Sequence, residues 1–328
     1  LLQQFIDPSP ERAHASVKAL VERVPGGSWL RAFHYWTAQA VVVALMLHIL
    51  RVFITGAYKQ PRILTWYFGL GLLGLGVFGS YFTGTVLKGD QEAFDALAHY
   101  RAGVEWFGAA GSFLASADWI SLNVKLYASH VTILPLLLVL LIAAHFYLVN
   151  VHSLSPLPFG DDAARTAVPA DRMTGTFLEH ATRILIYGSL YFALVAVIAW
   201  VYPAPLGEPS AGMEMGIKPP WPFLWLYALE NMTGRMDTMM HGIIAFFVLL
   251  ALVPVLDRGT DRHPARRKIT MGLGAAVLLG LIGLSVYAAV APPQLHEHEH
   301  APPGAMVPSA PGPLHDEGMV EDGEEHGH

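Results

Sequence analysis

Long apolar runs alternate with short polar breaks over most of this chain. The runs fall at about residues 31–55, 64–87, 126–149, 184–202, 237–256 and 269–291. A helix of about 20 apolar residues matches the hydrocarbon thickness of a bilayer. The pattern therefore predicts an all-α, polytopic transmembrane helix bundle with six spans. Ahead of the first span, ERAHASVKALVERV falls within a predicted amphipathic surface helix over 11–28, closed by Gly26 and Gly27, with His14 exposed. Pro135 lies inside the third span and is expected to kink it without breaking it, because neighbours can satisfy the freed carbonyl.

Composition agrees with the pattern: 53% of the 328 residues are hydrophobic and 14% are charged. The formal net charge of −6 is unevenly placed. Lys and Arg total 20 without forming a long basic patch, which argues against nucleic-acid binding. Cysteine is absent, so the chain has no disulfide, no thiolate-held cluster and no covalent CxxCH haem site. KQPR (59–62) and DRGTDRHPARRK (257–268) fall on one side of the membrane by helix counting. The positive-inside rule makes that side cytoplasmic.

Two spans carry unusual polar residues. The first holds His34 and His48, 14 residues apart; the third holds His130 and His145, 15 apart. At about 100° per residue both pairs stay on one helix face, with about 21 Å between partners. An imidazole in hydrocarbon is costly without a partner. Four separate histidines bonded within a bundle are one account. Two matched pairs at near-equal spacing favour another, bis-histidine ligation of two haems stacked across the membrane. His34 would then face His130, and His48 would face His145. Arg31 and Arg51 flank the first pair, and snorkelling to the interface is their plain role. The second span is uncharged and glycine-rich. Its glycines suit close helix packing, or the approach of a flat macrocycle to the backbone.

The stretches SWLRAFHYWTAQ, LHILRVFITGAYKQPRILTW, FTGTVLKGDQ and YASHVTILPLL resemble the cytochrome b family of Rieske–cytochrome b complexes. The 14 and 15 spacings are similar to its chloroplast-type (b6f-like) branch, and the order of His130 and Pro135 resembles the family's. The resemblance implies two non-covalent haem b groups in a four-helix core, with His34, His48, His130 and His145 as axial iron ligands. It implies haem-propionate contacts for Arg31 and Arg51, and a haem gap at Gly69 and Gly84. It also implies a family first helix upstream of Leu1, short helices within 88–125, and quinone or menaquinone as substrate. Asn150 and His152 would meet quinone at the cytoplasmic edge, although His152 also reads as an interfacial loop histidine.

The expected organisation is a periplasmic amphipathic segment over 1–30, haem-binding helices over 31–150 and a cytoplasmic loop over 151–180. A three-helix C-terminal half follows over 181–291, then a His-rich acidic, disordered periplasmic tail over 292–328, with a weaker metal-binding reading. One family motif is lost. Pro219, Pro220, Trp221 and Pro222 stand where PEWY would stand, and only Asp90 and Gln91 remain of a PWDQ-like segment. Pro220 cannot accept a proton, so the periplasmic quinol site is expected to be atypical, with Glu230, Glu214 or Asp90 as replacement acids. His99, His180, His241 and His263 read as loop, interface or packing residues.

The expected function is a dihaem cytochrome b subunit in a bacterial inner membrane. It would pass electrons between a cytoplasmic-side quinone site and a periplasmic c-type cytochrome or iron–sulfur protein. The resemblance implies membrane lipid and the quinone pool as surroundings, and a multi-subunit, dimeric assembly. Two rivals are a quinol–cytochrome c oxidoreductase subunit with a rebuilt quinol site, and a haem-free membrane anchor or transporter.

Overall fold

The computed structural model describes residues 2–116, 120–155, 157–159, 177–213 and 215–292. Glu214, the His-rich acidic tail beyond residue 292, the 160–176 loop and the side chain of His180 lie outside the described residues.

Six helices are long and apolar enough to cross a membrane: Gly27–Ile54 (α2), Ile63–Val86 (α3), Leu122–His152 (α6), Ala181–Val201 within Phe177–Val201 (α7), Asp237–Leu256 (α9) and Lys268–Val290 (α10). Shorter helices join them: Ala13–Arg23 (α1), Gln91–Glu105 (α4), Ala109–Ala115 (α5) and Leu224–Thr233 (α8). Among the described residues there is no strand, only one antiparallel bridge between Asp90 and Pro209. Large apolar side chains face outward all along the spans, Trp200 at 80% and Ile269 at 81% exposure among them. Such a surface is stable against lipid rather than water.

Local signals place the helix starts. Asp90 caps α4 by accepting from the Ala93 amide, and Ser121 caps α6 by accepting from the Val124 amide. The glycines at the first helix junction act differently from the sequence expectation. Helix α1 ends at Arg23, Gly26 takes a left-handed φ of 76°, and Gly27 already belongs to α2. A Cβ on Gly27 would lie 2.1 Å from the Leu20 carbonyl oxygen, so α1 and α2 cross at a point only glycine allows. His14 is not simply exposed either. It is half-buried, and its Nε2 lies 2.9 Å from the Gly207 carbonyl.

Helix α2 leans on α7, α3 packs along α6, and α8 wedges between α9 and α10. Val42, Leu73, Val77, Phe223 and Leu226 form the core that ties α2, α3 and the start of α8 together. Two spans contain wide π-helical turns, Gly74–Tyr81 in α3 and Ser129–Ile133 in α6. The second one ends just before Pro135, which supplies no amide hydrogen to the ladder.

Candidate functional site

The four histidines form two ring pairs between α2 and α6. The centroids of His34 and His130 lie 6.1 Å apart with planes at 87°. Those of His48 and His145 lie 6.5 Å apart at 74°. Two imidazoles on opposite sides of one metal, with bonds of about 2 Å and ring radii of about 1.1 Å, place their centroids about 6.3 Å apart. Both pairs fit that span. Among the described residues no group of three or more His, Cys, Asp or Glu gathers as a metal site. Pairs of histidines suit an iron whose remaining ligands come from a porphyrin.

Helix α3 backs both pairs with glycine. A Cβ on Gly84 would lie 3.0 Å from Cε1 of His130, and one on Gly69 would lie 3.7 Å from Cε1 of His145. The first contact is too tight for any side chain without a shift of the ring; the second is ordinary. The Thr83 hydroxyl lies 2.8 Å from the Gly79 carbonyl and 2.9 Å from His130 Nδ1. Its one hydrogen goes to the carbonyl, so it accepts from Nδ1–H. That fixes the His130 tautomer with a bare Nε2, the atom that metal ligation needs. His145 has no equivalent. Its Nδ1 is buried and faces the Thr65 backbone without making a hydrogen bond.

The remaining expected residues are placed less tellingly. Arg31 donates to the Ala204 and Pro205 carbonyls at 2.8 and 2.6 Å, which holds the chain after α7 and still leaves N–H groups over. Arg51 and Asn150 are exposed, and His152 is half-buried. The His152 backbone carbonyl accepts from Arg62 at 2.9 Å.

The His48 end is closed by a charged lock that the sequence did not single out. Asp257 takes Lys59 Nζ at 2.7 Å, the Tyr58 hydroxyl at 2.5 Å and Arg267 Nε at 2.7 Å. Arg267 also donates to the Tyr58 hydroxyl and to the Phe53 and Ile54 carbonyls at the end of α2. Burial pushes the Asp257 carboxyl up, but the Lys59, Tyr58 and Arg267 contacts outweigh it and hold the group below the usual carboxylate range. Burial raises the Tyr58 phenol. The clue was Lys and Arg grouped in two loops on one side.

At the His34 end the helices part around a cavity of about 420 Å³. Phe78, Phe82, Tyr100, Phe223 and Met239 supply much of its wall, and Thr83 of the His130 contact borders it. Pro219 and Pro220 also line it. His99, expected to be a loop or interface residue, instead sits on α4 facing this cavity. Its Nε2 lies 2.9 and 3.0 Å from the two oxygens of Glu230, which is fully buried. Asp90, the other described candidate acid, is spent on structure. It caps α4, accepts from the Gly207 amide at 3.1 Å and pairs with Lys88 at 3.2 Å. His241 packs edge-on against Trp106.

Comparisons with known proteins bear on the family and the fold. The family model for cytochrome b(N-terminal)/b6/petB matches residues 39–209, and that for cytochrome b(C-terminal)/b6/petD matches residues 213–298. His48, His130 and His145 fall inside the first match; His34 lies just ahead of it. The cytochrome bc complex cytochrome b subunit of Chlorobaculum thiosulfatiphilum is 31% identical over 270 residues, 79% of this chain and 62% of that protein. The chain thus spans less than two thirds of that relative's length. Cytochrome b6 of Heliobacterium mobile is 34% identical over 163 residues, 47% of this chain and 75% of that protein. A menaquinol:cytochrome c reductase cytochrome b subunit from Geobacillus thermodenitrificans is 34% identical over 161 residues, 47% of this chain and 71% of that protein. A solved chain of a hyperthermophilic respiratory Complex III shares the fold. Its TM-score is 0.73 at 20% identity, covering 89% of this chain and 79% of that one.

Proposed function

This chain belongs to the cytochrome b family of bc1/b6f class, and on that premise we propose that it carries electrons across a membrane as a dihaem subunit of a quinol oxidoreductase complex. The observation that carries this reading is the pair of ring separations, 6.1 and 6.5 Å, each suited to one iron between two imidazoles. Haem bound there would supply one-electron redox chemistry. His34 and His130 hold one group; His48 and His145 hold the other. Gly84 and Gly69 keep the backing helix clear of the rings, and Thr83 fixes the His130 tautomer. Arg31 and Arg51, at the two ends of α2, would balance propionate charge. Asn150 and His152 would bind quinone or menaquinone at the cytoplasmic face, where His152 can donate to a carbonyl and relay a proton.

The setting is the bacterial inner membrane, with the Arg267 end cytoplasmic. Residues 1–30 would lie on the periplasmic side. The haem-binding helices occupy 31–150 and the C-terminal helices 181–291. The partners are a periplasmic c-type cytochrome or iron–sulfur protein, in a dimeric complex. A second reading is favoured by one observation. The cavity at the His34 end is large enough for a quinol ring and borders the His130 contact, so a rebuilt quinol-oxidation site stands beside the altered PPWP stretch.

A pyridine haemochrome assay on the purified complex tests the main reading. Two b-type haems per copy of this chain are expected. No b-type haem in a folded, assembled preparation would overturn it and leave a haem-free anchor or transporter.

A further inference from the structure

The cavity at the His34 end is lined by His99, whose ring is backed by the fully buried Glu230. Its wall includes the side chains of Pro219 and Pro220, neither of which can take a proton. The titratable groups along it are Glu92, Asp95, His99 and Tyr100 from α4 and Tyr227 from α8; the lining positions of α3, α6 and α9 carry none. Asp95 is engaged at both oxygens. One takes Gln91 at 2.9 Å and the Met215 amide at 3.3 Å, and the other takes the Ile217 amide at 2.7 Å. Glu92 is bound to Lys88. His99 differs because a fully buried carboxylate, Glu230, stands behind it.

Hydrogen bonding fixes the protonation of this pair. His99 Nδ1 lies 2.7 Å from the Asp95 carbonyl oxygen, which only accepts, so Nδ1 carries hydrogen. Nε2 lies 2.9 Å from a Glu230 oxygen, a distance that holds one proton between nitrogen and carboxylate. Two bare lone pairs would repel there. The separation suits a hydrogen bond between ring nitrogen and carboxylate. To accept a proton from the cavity the ring must turn from this position, because Nε2 here points at Glu230.

We infer that His99, backed by Glu230, is the proton acceptor for a hydroquinone bound in this cavity. The hydroquinone O–H bond breaks and its electron pair stays on the oxygen. An N–H bond forms on Nε2, and the resulting imidazolium returns to the Glu230 carboxylate. The hydroquinone anion then becomes quinone by giving one electron to a b haem and one to the periplasmic c-type cytochrome or iron–sulfur protein, and its second proton leaves to the periplasm. The inference rests on the second reading, that this cavity oxidises quinol, and deepens it.

The test uses the assembled complex with its haem content counted in every variant. Reduction of the b haems by 2,3-dimethyl-1,4-naphthohydroquinone is followed across pH in wild type, His99→Asn and Glu230→Gln. In wild type the rate should rise with pH through one ionisation. Glu230→Gln should move that ionisation down by about one pH unit, because the cationic ring loses its opposite charge. His99→Asn should remove the ionisation and slow the reaction tenfold or more. A merely structural pair would lower rates without moving the profile, and an unmoved profile in either haem-replete variant overturns the inference. If His99→Asn fails to assemble, Glu230→Gln decides alone. Wild-type complex with two haems that the hydroquinone cannot reduce would overturn both this inference and the second reading while leaving the dihaem reading in place.

Discussion

The two ends of this helix bundle solve opposite problems. At the His48 end, one carboxylate gathers a lysine, a tyrosine and an arginine, and Arg267 sews the loop onto the end of α2. At the His34 end a cavity opens beside the two π turns, with half-buried His99 in its wall and the fully buried Glu230 behind that ring. The difference extends to the histidines. His130 is crowded by Gly84 and held by Thr83, whereas His145 has ordinary contact with Gly69 and no bond at Nδ1. One end fixes its histidine and leaves room beside it; the other fixes the fold and leaves the Nδ1 of its histidine unbonded.

Substitutions at the histidines should have the largest effect and set the baseline for the comparison. Replacing His130 or His145 with Ala should each remove one haem per chain by haemochrome assay, leaving the other pair loaded. Loss of both haems from either change would mean that the two ends are not independent. Arg267→Ala comes next. Removing one partner from a buried ion pair costs about 3–5 kcal/mol. It should lower the thermal midpoint in detergent far more than Thr83→Val at the opposite end.

The glycines sharpen the contrast. Gly84→Ala puts a Cβ 3.0 Å from the His130 ring and should cost much of that haem. Gly69→Ala, at 3.7 Å, should retain its haem. Equal loss at both positions would remove the asymmetry. Thr83→Val removes a bond worth about 1 kcal/mol, and so should shift the potential of one haem by no more than about 40 mV in a redox titration.

The smallest effect is a pH dependence. The Asp257 carboxyl is held below its unfolded value near 3.8. Its contribution is therefore full above that value and fades as pH falls through the lower folded value. Thermal melts from pH 6 to pH 3 should show a steeper loss in wild type than in Asp257→Asn.

Much of this was legible in the sequence because its causes are local. A run of apolar residues forms a helix and seeks lipid whatever its neighbours are, so the spans at 31–55 and 237–256 match the observed helices within a few residues. The spacing of 14 and 15 puts two histidines on one face by helix geometry alone. The matched spacing also predicted which rings would meet, His34 with His130 and His48 with His145.

Other features needed chain segments far apart in sequence. His99 and Glu230 are 131 positions apart, and no periodicity links them. His99 reads as a loop or interface residue and Glu230 as one of three candidate acids, and only the meeting of α4 and α8 joins them. Tyr58, Lys59, Asp257 and Arg267 were visible only as loop charges, and Asp90 looked like a free acid before its amide partners at Ala93 and Gly207 were in place. The sequence by itself determined the membrane-spanning helices and the paired histidines, because backbone hydrogen bonding and apolar solvation act along the chain. Tertiary structure alone decided which polar side chains are spent on structure and which face a cavity. A buried polar group takes its role from partners that only the packed helices bring within hydrogen-bonding distance.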